Sequence, residues 1–142
     1  MSDLRTEATR ILAARRCTAV GWNGPIPIID FGEATLAIYC AWRGDGPDWG
    51  VGSGDEASSE HPLTPLVDRQ VISVESIGPW HDLAIRFDDA RTLSLFGDSG
   101  QHESWQLTSS EGLWLIGGPG ALWSMFEPGS AAEAADDVVQ DR

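Results

Sequence analysis

Lysine is absent from this 142-residue chain, and all nine of its basic residues are arginine. Against 22 Asp and Glu they leave a formal net charge of −13. Nucleic acid and anionic membranes are recognised by clustered cations, so neither is expected as a partner. A basic protein is favoured instead, because an acidic field speeds encounter with it. Cysteine is nearly absent too. Cys17 and Cys40 are too few for a disulfide scaffold, and both fall in predicted strands, where a free thiol serves as a small core residue. No apolar run approaches the ~20 residues needed to span a bilayer. The first sixteen residues carry charge throughout, from Asp3 and Arg5 to Arg15 and Arg16, with no apolar segment of the kind a signal peptide needs. A cytoplasmic protein is expected.

What is present reads as β structure. Hydrophobic residues make up 42% and charged residues 22%, an ordinary globular mix that argues against global disorder. Residues 3–16 form a predicted helix, with Leu4, Ala8, Ile11 and Leu12 on one stripe and Ser2 as N-cap. The period then changes to two. Thr18, Val20 and Trp22 share a face of a first strand, Ile29 and Phe31 of a second, and Leu36, Ile38, Cys40 and Trp42 of a third. Residues 44–62, rich in Gly, Ser, Pro and acids, read as a long loop. A short helical turn at 66–69 precedes further strands at 71–75, 83–87, 93–95, 105–107, 113–116 and 121–126. Asp88-Asp89-Ala90-Arg91 reads as a hairpin turn and Gly117-Gly118-Pro119-Gly120 as another. The stretch from Ile29 to Ile38 can be laid on that from Ile85 to Leu95 with one residue inserted, which suggests a repeated three-strand unit.

The expected fold is therefore mainly β (α+β). An N-terminal helix packs on a mostly antiparallel sheet, or partly open barrel, built from two similar three-strand halves. Residues 1–127 are expected to form one β-rich domain, and 128–142 a mobile acidic tail.

Catalytic patterns are weak. His61, His81 and His102 lack metal-site spacing, and neither cysteine sits in a nucleophile signature. Gly52-Ser53-Gly54 lacks the strand before and helix after that a nucleophile elbow requires. The glycines of 44–54 lie among acids that would repel phosphate. Neither metal nor cofactor is expected. Tryptophan is the informative residue, with seven in this length. Trp49 and Trp80 fall in Gly/Pro-rich segments, where exposed indoles anchor partners. With Asp45, Asp48, Asp55 and Glu56 they make the expected partner-binding set: acids to steer a basic protein, tryptophans to hold it.

From Leu66 to Phe126 the order of features resembles a family of small bacterial proteins of unknown function, found mainly in actinobacteria. Its pattern is a valine strand, an aspartate-turn hairpin, x-E-x-W-x-L, a glycine, then P-G-G and a tryptophan. Here that stands as Val71-Ile72-Ser73-Val74, Leu83 to Leu95, His102-Glu103-Ser104-Trp105-Gln106-Leu107, Gly112, Gly118-Pro119-Gly120 and Trp123. Gly-Pro-Gly replaces Pro-Gly-Gly, and the acidic insertion at 44–62 is a further departure. The resemblance brings no catalytic residues. Similar small acidic proteins are often encoded beside toxins, so it implies an immunity-type inhibitor of a basic toxin. The alternatives are a homodimeric scaffolding domain and a small-ligand binder.

Overall fold

A computed structural model describes residues 3–55, 60–97, 102–120 and 122–126. Ser2, Glu56 and the expected tail at 128–142 lie outside these residues. Among the described residues one helix, α1 (Leu4–Leu12), precedes eleven strands. They are β1 (Ala19–Asn23), β2 (Ile26–Asp30), β3 (Ala34–Ile38), β4 (Ala41–Gly46), β5 (Trp49–Gly52), β6 (Val71–Ile77), β7 (Asp82–Phe87), β8 (Thr92–Phe96), β9 (Trp105–Ser109), β10 (Trp114–Gly117) and β11 (Trp123–Phe126). A 3-10 turn at Thr64–Leu66 stands between β5 and β6. Two antiparallel sheets result, in the orders β1-β2-β3-β9-β10-β11 and β5-β4-β8-β7-β6. They do not close into a barrel, and both contribute to one hydrophobic core.

The two halves expected from the sequence are the meanders β1-β2-β3 and β6-β7-β8. After each, the chain crosses to the other sheet. β4 joins the second meander by pairing with β8, and β9 joins the first by pairing with β3. The pairing is thus reciprocal, as a two-fold axis requires. The pseudo-axis passes through the bridge Arg16↔Gln70. Around it the Cys17 amide donates to Arg69 O at 2.9 Å and the Val71 amide to Arg15 O at 2.8 Å. One step out, the Ala14 amide donates to Val71 O and the Asp68 amide to Cys17 O. Ala14 and Asp68 both adopt left-handed backbone, with φ of 64° and 73°.

This junction corrects the expected helix. α1 stops at Leu12, not Arg16, because the backbone of residues 14–17 pairs with 68–71 instead. No glycine marks the stop, so helix propensity loses to tertiary pairing without a local signal. The N-cap is Asp3, whose Oδ1 accepts from the Thr6 amide at 2.8 Å. Those bonds hold the Asp3 carboxyl below its ordinary value.

Two further expectations change. The third strand divides at Tyr39–Cys40, where the chain leaves one sheet for the other. And residues 44–52 are not loop: β4 and β5 form a hairpin turning at Pro47-Asp48. Gly44 is there for close packing, since a methyl group on it would overlap the Trp49 ring. Gly117 likewise makes room for the Trp105 indole.

Candidate functional site

The residues singled out in the sequence fall into two groups. Asp45, Asp48 and Trp49 lie at the turn end of the β4–β5 hairpin, where Gly46 opposes Trp49. Asp55 lies past the other end, beyond Gly52. Trp80, in the β6–β7 turn, is at that same end: Gly97 follows Phe96, which opposes Ala41, and a methyl on Gly97 would meet the Trp80 carbonyl. Five residues of β4 separate the groups, roughly 16 Å at strand rise.

Most of these side chains are engaged within the chain. Trp49 is half-buried against the core, donates Nε1–H to Pro62 O at 3.2 Å, and has the Arg91 guanidinium 5.8 Å from its ring centre. Arg91 is in turn paired with Asp89, which also sits 3.5 Å from Arg69. Asp45 pairs with Arg43 at 2.9 Å. Asp55 Oδ2 accepts the Gly52 amide at 2.7 Å, occupying a backbone donor next to the end of strand β5. Asp48 holds the hairpin turn with φ of 54°. Trp80 is 40% exposed. A shallow groove of about 500 Å³ runs over Gly50, Gly52, Arg43, Asp55 and Phe96.

The feature that sequence reasoning missed is the outer face of the six-stranded sheet. Register places Val20, Ile29, Leu36, Leu107, Leu115 and Met125 in one inward row. The adjacent outward row is Gly21, Ile28, Ala37, Gln106, Ile116 and Ser124. Ile26 and Tyr39 stand outward at the next level, and Tyr39 is 45% exposed. At the β10–β11 end the face is closed: Ile116 and Phe126 are buried, with Phe126 edge-on to Trp114 at 5.8 Å. Ile26, Ile28, Ala37 and Gln106 are only half-buried. No Lys or Arg occurs in any of the six strands, and Asp30 is their only charged residue. The signal was visible in the alternation itself. In β2, Ile28 and Ile29 are consecutive, so both faces carry apolar side chains.

The remaining candidates are placed as follows. Cys17 and Cys40 are both buried free thiols. They belong to opposite ends of the first meander, since Ala19 opposes Asp30, which opposes Thr35, while Cys40 follows Ile38. Burial, aided by Asp30 and Asp68, pushes the Cys17 thiol up to about 11, against a backbone hydrogen bond at Ala19 that pulls it down, so it stays protonated at neutral pH. Ser76 Oγ and His81 Nδ1 stand 3.5 Å apart, longer than the ~2.6–3.2 Å of a working nucleophile–base pair. Among the described residues no three His, Cys, Asp or Glu are grouped to hold a metal ion. No helix among them is long and apolar enough to cross a membrane.

The fold and site thus define a two-sheet antiparallel β protein with an internal pseudo-two-fold and one apolar outer face. No family model matches the chain, and no curated protein or solved structure is significantly similar to it. The likeness to small actinobacterial proteins accordingly remains an expectation from the order of motifs.

Proposed function

We propose that this chain is a non-catalytic protein-binding module that docks a basic partner through the outer face of its six-stranded sheet. One observation carries the reading: half-buried Ile26, Ile28 and Ala37 and exposed Tyr39 form an apolar outward patch in a sheet without a single basic residue. Contiguous apolar surface of this kind mark interaction sites on soluble proteins. Asp30 stands on the same face, Glu103 accepts from Gln106 of that face at 2.6 Å, and Glu33 and Glu111 are at its strand turns. The patch therefore suits a surface with an apolar centre and an arginine or lysine rim. Charge also selects against a second copy, because two chains of −13 repel. In its most concrete form the module is an immunity-type inhibitor of a basic toxin encoded nearby. The acidic hairpin and Trp80 then act as a steering and secondary contact region.

The test is co-expression with the product of the adjacent open reading frame, followed by size-exclusion chromatography. A stable one-to-one complex that Ile28→Glu disrupts and Arg86→Glu leaves intact supports the reading. A complex indifferent to Ile28→Glu, or no complex at all, counts against it.

A further inference from the structure

β1 is an edge strand of the six-stranded sheet, and residues 60–66 run beside it. An imidazole fastens them there. His61 Nε2 lies 2.8 Å from Gly21 O, Nδ1 lies 3.1 Å from the Leu63 amide nitrogen, and the ring stacks on Trp22 with centres 4.3 Å apart. The chemistry of the two partners fixes the proton. A carbonyl only accepts, so Nε2 donates; an amide N–H only donates, so Nδ1 accepts. This arrangement requires the neutral Nε2–H tautomer. The same segment is tied to the other sheet, since Pro62 O accepts from Trp49 Nε1.

The pseudo-two-fold supplies a control. The edge of β6 is covered by α1, and there Thr9 Oγ1 donates to Val74 O at 3.5 Å. One edge strand is held by a hydroxyl, the other by an imidazole.

We propose that His61 is an acid-released clip for residues 60–66. When Nδ1 takes up a proton it becomes a donor, and the Leu63 N–H then faces another N–H. A buried donor left unmade in this way weakens attachment of the segment. Few charges are in a position to compensate. β1 and β5 carry no titratable side chain, and Glu60 is the only one within 60–66. Among the described residues no carboxylate lies within 4.0 Å of the ring to pair with it. Stacking on Trp22 does not restore the lost acceptor. Release opens the outer edge of β1, whose unpaired backbone groups are a template for another strand.

The experiment is nitrogen-15 NMR of the full chain from about pH 8 to 5, across the range where histidine changes charge. Three readouts are followed: the imidazole nitrogen shifts, the Leu63 amide and the Trp22 indole. The expected result is the Nε2–H tautomer at the high end. As the ring takes up its proton, protection of the Leu63 amide, corrected for intrinsic exchange, falls about tenfold or more, the equivalent of losing one satisfied buried bond. His61→Gln presents both a donor and an acceptor without titrating, so its Leu63 amide stays flat. The Nδ1–H tautomer at high pH, or a Leu63 amide that does not respond while the ring titrates, overturns the proposal. Should His61→Gln not fold, the wild-type tautomer and the Leu63 response decide the matter by themselves. Partner binding enters none of these readouts.

Discussion

The two sheets bury nearly equivalent inner faces, and their outer faces differ most in the middle rows. In the five-stranded sheet one outward row is Gly52, Arg43, Ser94, Ala84 and Glu75, and the next is Gly50, Asp45, Thr92, Arg86 and Ser73. Both rows are small, polar or charged, the ordinary solvated face of an antiparallel sheet, and the exposed apolar residues Phe96 and Ile77 stand outward beyond them. The matching row of the six-stranded sheet runs Gly21, Ile28, Ala37, Gln106, Ile116 and Ser124, with no charge in it. The meanders share topology and junction bonds. Ile28 and Ala37 have Ala84 and Ser94 as their counterparts, so core packing does not require an isoleucine at that outward position. What differs between otherwise equivalent sheets points to contact with something outside the fold.

That comparison can be sharpened first from the inside. Leu36 and Leu93 occupy the same place in the two hairpins, opposite Ile29 and Ile85, and both are fully buried. Leu36→Ala and Leu93→Ala are each expected to cost about 3 kcal/mol, within about 1 kcal/mol of one another, in chemical denaturation. A large inequality would mean that the inner faces are not equivalent. Next in size are Gly44→Ala and Gly117→Ala. Each places a methyl into a tryptophan ring, Trp49 in one sheet and Trp105 in the other, and each is expected to destabilise by about 1–3 kcal/mol through overpacking. A neutral result at Gly44 would mean that Trp49 is not seated on the sheet.

The smallest effect concerns the axis, where the Cys17 amide donates to Arg69 O across the junction. With its thiol raised from 9.0 to about 11, the folded chain holds this proton where the unfolded chain has lost it. The sign follows: stability falls as pH rises from 9 towards 11, and this thiol contributes no slope below that window. Cys17→Ala should flatten the alkaline slope of denaturation midpoints relative to wild type. Equal slopes would show that the thiol is not desolvated.

Much of the architecture was legible in the chain. Alternation at Thr18–Trp22, Leu36–Trp42 and Leu83–Phe87 located strands, and the likeness of Ile29–Ile38 to Ile85–Leu95 located the paired hairpins. The helix end was not legible, because Ala13 and Ala14 are good helix formers and only the pairing of 14–17 with 68–71 removes them from the helix. The 44–52 hairpin was hidden for a different reason. Its glycines read as flexibility, whereas Gly44 is a packing site whose occupant, Trp49, lies five residues away in sequence. The expected site was composed of residues that looked free in sequence. Asp45, Asp55 and Trp49 have partners inside the fold, and Trp80 remains exposed. The apolar outer face could be assembled only from register, since its members come from strands β2, β3 and β9, separated by some 70 residues of chain.

The claim that the six-stranded sheet carries the binding function is tested most directly by measuring dissociation constants of the complex for two face variants in parallel. Ile28→Glu alters the apolar face and Arg86→Glu the charged one. The account predicts at least about tenfold weaker binding for Ile28→Glu, the equivalent of one lost apolar anchor, and a change under about twofold for Arg86→Glu. Equal effects, or a loss confined to Arg86→Glu, would contradict it.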